Sequence, residues 1–94
     1  MDLPDIQNMM SSVPLPGDSS EVESLINQLK QYLQGLEQGN MNYQQVQQAA
    51  SQSSNPVMQV VSQGLQQVEN NDQAKQILQQ QIQNLEGHLQ DLKT

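Results

Sequence analysis

His88 is the chain's single histidine, set in Glu86-Gly87-His88-Leu89 with Asp91 three residues further on. On a helix such a pair shares a face and could offer two ligands to one cation. A structural or catalytic metal needs at least a third, and the sequence has neither a second histidine nor a cysteine. His88 is therefore expected to flank an apolar seam, where its one functional use would be as a pH-sensitive contact. Glu21 and Glu23 are the nearest approach to a carboxylate pair. Two residues apart on a helix they point in different directions, and capping and the helix dipole account for them better. Serine and threonine hydroxyls occur without a base placed to activate them. No glycine-rich phosphate loop, nucleophile motif or calcium-loop spacing is present. This inventory predicts a protein that is not an enzyme, with no catalytic residues, no metal site and no cofactor.

Charge narrows the partners. Lys30, Lys75 and Lys93 are the only basic residues besides His88, there is no arginine, and the net charge is −7. A phosphate backbone is bound by clustered Lys and Arg that release counterions, so nucleic acid is excluded as a direct partner. Anionic membrane surfaces fall to the same argument. No apolar run approaches the roughly 20 residues of a membrane span. The start, Met1-Asp2-Leu3-Pro4-Asp5, lacks the basic and apolar regions of a signal peptide. The expected location is the cytoplasm, or the interior of a virion or other assembly. Without cysteine the redox compartment cannot be read.

What remains is apolar surface, and not much of it. In 94 residues the hydrophobic share is 34%, below the roughly 45–50% of ordinary domains, a figure that counts glycine. Phe and Trp are absent and the aromatics are Tyr32 and Tyr43. A core of Leu, Ile, Val and Met gains about 1.5–3 kcal/mol per fully buried side chain, against a backbone ordering cost of about 1–2 kcal/mol per residue. An isolated monomer should be marginal, with partners supplying the rest. Glutamine fills 21 positions. It favours helix and carries no charge, which suits helix faces that meet other polar protein surfaces. Its placement inside apolar periodicity argues against a prion-like tract.

The elements follow from that periodicity. Residues 1–18 read as an extended arm, broken by Pro4, Pro14 and Pro16 and closed by the turn signal Pro16-Gly17-Asp18. The arm is apolar, through Leu3, Ile6, Met9, Met10, Val13 and Leu15, and it is expected to dock, either on a neighbouring chain or back on its own helices. A helix over about 20–38 carries Val22, Leu25, Ile26, Leu29, Tyr32, Leu33 and Leu36 on one stripe, with Asp18, Ser19 and Ser20 as caps and Gly39-Asn40 as its stop. A shorter helix is expected over 43–52, capped by Asn42. Asn55-Pro56 then restarts the chain.

From Pro56 one heptad phase holds to the end, with Leu78, Ile82, Leu85, Leu89 and Leu92 alternating fours and threes as a coiled-coil seam. Asn71 and Lys75 interrupt it, and as core positions they would set register and oligomer state. The phase favours one helix over 56–93, about 57 Å long at 1.5 Å per residue. The cluster Glu69-Asn70-Asn71-Asp72 argues instead for a split near 70.

The expected fold is all-α: the N-terminal arm, then residues 19–94 as a helical hairpin or small bundle with a coiled-coil-like C-terminal helix. The expected function is structural. The chain should pack against other protein chains, as a homo-oligomer or in a larger assembly, through the arm (Leu3, Ile6, Met9, Met10, Val13, Leu15) and the seam (Leu78, Ile82, Leu85, Leu89, Leu92). A small phage-type virion component fits best. A secretion-system helical subunit, or a small helical adaptor or chaperone, is the alternative. Ser54-Asn55-Pro56 between helical stretches resembles the turn of type III secretion needle subunits. That resemblance covers these residues alone, and the polar end Asp91-Leu92-Lys93-Thr94 departs from the apolar tail such subunits pack with. An acidic module inhibiting a basic partner would require the ten carboxylates to cluster, whereas in sequence they are dispersed.

Overall fold

The computed structural model describes residues 15–94, and over these the chain is all-α, without a strand. Four helices follow one another: α1 (Ser19–Gln38), α2 (Tyr43–Ser51), α3 (Pro56–Leu65) and α4 (Asn71–Lys93). The long helices α1 and α4 pack against each other, as do the short helices α2 and α3, and α3 also touches α4. Two helical hairpins are thus nested, the inner one built from the connection between the outer pair.

The caps explain where each helix begins. Asp18 Oδ1 accepts from the Ser20 N–H at 3.0 Å and starts α1. The other three helices start on asparagine. Asn42 and Gln45 form a reciprocal capping box on α2, with bonds of 2.9 and 3.1 Å. Asn55 accepts from the Val57 N–H with Pro56 at the first helical position of α3. Asn70 accepts from the Gln73 N–H at 2.9 Å while the Gln73 side chain takes the Glu69 N–H at 2.8 Å. Each cap satisfies donors that a helix start leaves without partners. At the far end of α1, Gly39 adopts φ 78°, and the N–H groups of Asn40 and Met41 return to the Gly35 carbonyl at 2.9 and 3.1 Å. Met41 lies so close over Gly35 that a Cβ there would stand 2.9 Å from its sulfur.

The chain over 56–93 is therefore two helices and not one. The heptad phase runs through the break, but Asn70 and Gln73 together give the backbone a better start than continuation would. Asn71 consequently does not occupy a seam position. Its Oδ1 accepts from the Tyr43 N–H at 3.0 Å and joins the first turns of α2 and α4.

The core is aliphatic throughout. Val22, Leu25, Ile26, Leu29 and Leu36 of α1 meet a cluster that includes Met58, Val61 and Leu65 of α3 and Ile77, Leu78, Ile82 and Leu85 of α4. Val46 and Ala50 bring α2 into the same cluster, and Tyr32, Leu33, Met41, Tyr43 and Leu89 pack at its margin. Two ion pairs, Lys30–Glu86 at 3.4 Å and Lys93–Glu23 at 3.2 Å, mark the antiparallel register of α1 and α4. The pairs are one heptad apart on each helix.

Candidate interaction surface

The residues singled out for chemistry are dispersed by the fold. His88 Nε2 lies 2.5 Å from the Pro16 carbonyl oxygen, which can only accept, so the ring donates there. Both the neutral Nε2–H tautomer and the imidazolium carry that proton. Among the described residues no three His, Asp or Glu side chains gather in a way that could hold a metal ion. Glu23 is spent on Lys93, and Glu21 lies in the first turn of α1, where a negative charge meets the helix dipole favourably.

The two groups of expected contact residues fare differently. Leu3, Ile6, Met9, Met10 and Val13 lie outside the described residues. Leu15 is half-buried and packs against the core. Leu78, Ile82 and Leu85 are buried inside the chain, because α1 offers its own stripe to them. The row expected to meet another chain is closed internally over these three positions. It reaches the surface only at its end: Leu89 is half-buried, and Leu92, at 37%, is the exposed large hydrophobic side chain among the described residues.

All three lysines are engaged, Lys75 with Asp72 at 3.4 Å and the other two across α1–α4. The exterior is thus left to carboxylates and amides. On α4, Gln76, Gln79, Gln83 and Gln90 are all exposed. Their spacing of three, four and seven puts them in one line on the side away from the core. Gln31, Gln34 and Gln38 lie exposed along α1 in the same manner. The total of 21 glutamines does not reveal this alignment, but their spacing along each helix does. Other glutamines serve the fold. Gln45 and Gln73 complete caps, Gln47 donates to the Ser62 hydroxyl at 3.3 Å, and Gln59 donates to the Ser51 carbonyl at 3.1 Å and to that of Ser53, closing the end of α2.

The hollows on this surface are shallow, such as the one on α1 among Asn27, Lys30, Gln31, Leu33, Gln34 and Glu37. No described helix is long and apolar enough to cross a membrane. Comparison with protein families, with curated proteins and with solved structures finds no match to this chain.

Proposed function

We propose that this chain is a non-enzymatic assembly protein that works by packing its helical surface against other protein chains, its own copies first among them. The observation that carries this reading is the run of exposed amides Gln76, Gln79, Gln83 and Gln90 on the outer face of α4, along which the carboxylates Asp72 and Glu86 are each paired with a lysine. In a molecule of net charge −7, copies repel one another over most of their surfaces. A line of glutamines at helical spacing is a place where two such surfaces can meet without like charges facing, each amide both donating and accepting. Leu92, exposed at the same helix's end, adds apolar area to that contact.

Within this class the reading is a small virion component of phage type, repeated in many copies. The internal closure of Leu78, Ile82 and Leu85 favours a second reading, a small helical adaptor or chaperone that is folded before it meets its partner.

Light scattering across a concentration series, on the native chain and on the double variant Gln79→Glu/Gln83→Glu, tests the proposal. Self-association of the native chain, weakened about tenfold or more by the added carboxylates with the circular dichroism unchanged, is the expected result. A native chain that stays monomeric at every concentration reached would sink homotypic assembly and leave the adaptor reading.

A further inference from the structure

The connection between α3 and α4 differs in kind from the other two. After α1, Gly39 takes φ 78°, and the Asn40 and Met41 N–H groups fold back on the Gly35 carbonyl. After α2, Pro56 heads α3 and has no N–H with which to continue a helix. By contrast Gln66-Gln67-Val68-Glu69-Asn70 contains neither glycine nor proline, and none of these residues has a positive φ. Gln66 already lies in the helical region at φ −66°, ψ −20°, while Asn70 is extended at φ −156°, ψ 173°. Only residues 67–70 must turn helical for α3 and α4 to become one helix.

The two helices also share a phase. Val57, Val61, Gly64 and Val68 before the break, and Leu78, Ile82 and Leu85 after it, fall on one heptad seam and are all buried. Arms of a hairpin have no need of a common phase, since the turn between them orients each separately. A continuous helix does need it, because a slip across residues 66–70 would aim the two stripes at different sides. Between the stripes Gln66, Gln67, Glu69, Asn70 and Asp72 are polar and exposed, as suits a helix that crosses solvent from one packed unit to another.

Little holds the break itself. Asn70 Oδ1 accepts from the Gln73 N–H at 2.9 Å, and Gln73 Oε1 accepts from the Glu69 N–H at 2.8 Å. Both bonds are exposed, and a continuous helix replaces them with main-chain bonds. The Tyr43–Asn71 bond alone has no such substitute. The docked α4 meanwhile carries a penalty of its own. Gln81 is fully buried, and neither its Oε1 nor its Nε2 has a hydrogen-bond partner among the described residues. Such an amide bears its desolvation cost while the helix is docked and regains water when the helix is released.

We infer that α4 is exchanged between two copies of this chain, the connection straightening into one helix over 56–93 as each α4 docks on the other copy's α1. Exchange preserves the α1–α4 packing, the burial of Leu29 and Leu85 and the ion pairs Lys30–Glu86 and Glu23–Lys93 included. Its cost is confined to the connection and to bringing two molecules together. The occupant is a second copy because the α1 stripe, once bared, is complementary to an identical α4. Exchange rests on the reading of the chain as one that associates with its own copies, and it uses the inner face of α4 rather than the outer amides.

Refolding the native chain from urea at high concentration should yield a dimer that separates from the monomer by size and returns to it slowly. In a dimer refolded from equal parts of isotope-labelled and unlabelled chain, isotope-filtered nuclear Overhauser effects should connect the core methyls of α1 in one chain with those of α4 in the other. Asn71→Ala and Asn71→Pro both lose the Tyr43 bond. Alanine admits the long helix and should raise the dimer-to-monomer ratio about tenfold. Proline is tolerated as the first residue of a helix but not inside one. It should leave a monomer with native circular dichroism and no exchanged dimer. A dimer without α1–α4 contacts between chains, a dimer ratio equal in the two Asn71 variants, or no dimer under any of these conditions overturns the inference. A dimer that survives Asn71→Pro and weakens with Gln79→Glu/Gln83→Glu overturns exchange and upholds the outer amides. One that vanishes with proline and ignores those glutamates upholds exchange and overturns the outer amides.

Discussion

The Oδ1 of Asn71 accepts the backbone N–H of Tyr43 at 3.0 Å, across 28 residues of sequence. The donor belongs to the first turn of α2, where helix N–H groups have no partner within the helix. The acceptor is the first residue of α4. One side chain thereby ties the start of the inner hairpin to the returning helix of the outer one. Asn71→Ala should lower stability by about 1 kcal/mol, the usual net worth of such a bond, and speed hydrogen exchange at Tyr43. Asn71→Leu separates the two roles considered for this position. If 71 were a seam position, Leu would raise the denaturation midpoint, whereas loss of the Tyr43 bond lowers it. Urea unfolding of the two variants decides between them.

Gly39 and Gly87 should respond in opposite ways to alanine. Gly39 has φ 78°, a conformation that costs a residue with a Cβ about 1–2 kcal/mol, so Gly39→Ala is expected to destabilise by about that amount. Gly87 lies inside α4 with nothing within 4 Å of a Cβ built there. Alanine at 87 should therefore add up to about 1 kcal/mol through helix propensity alone. Thermal melts of the two variants on either side of the native value would bear out both assignments; a shift in the same direction would refute one of them.

Lys30 and Lys93 mark the α1–α4 register without holding it. Both lysines and their carboxylate partners are about half exposed, and pairs of this kind are worth about 0–1 kcal/mol. Lys30→Gln and Lys93→Gln should each leave the denaturation midpoint almost unchanged, as should added salt. Leu29→Ala, at a position of 0% exposure next to Lys30 in sequence, should cost about 2–5 kcal/mol. A large loss on removing either lysine would mean that charge, not burial, directs how these helices pair.

The stripe from Val22 to Leu36 and the caps at Asp18, Asn42 and Asn55 were legible in sequence because each rests on contacts within a few residues. The break before Asn71 was legible only as an alternative. Heptad phase and cap chemistry disagreed there, and the cap prevails because Asn70, Gln73 and Glu69 close two hydrogen bonds together. What the α4 seam packs against was not legible. Leu78, Ile82 and Leu85 read the same whether the facing stripe comes from α1 or from another chain, and only the return of the chain through α2 and α3 brings α1 alongside. The Tyr43–Asn71 bond, the burial of Gln81 and the His88–Pro16 contact join residues 28 or more apart or depend on tertiary packing, so no local pattern announces them.

The two ends of the seam should behave as different kinds of residue. Leu85 is at 0% exposure, Leu89 is half-buried and Leu92 is at 37%, so burial fades along one line of side chains toward the C-terminal end of α4. Leu85→Ala should cost about 2–5 kcal/mol, the transfer of the side chain plus the cavity it leaves, and should do so at any protein concentration. Leu92→Ala removes a side chain that the monomer covers only in part and should cost less, about 1 kcal/mol. If Leu92 contributes to a contact between chains, its substitution should instead weaken the concentration dependence seen by light scattering. Urea titrations at two protein concentrations separate the effects. A large, concentration-independent loss for Leu92→Ala would show that the seam closes within the chain along its whole length, and that its end offers nothing to a partner.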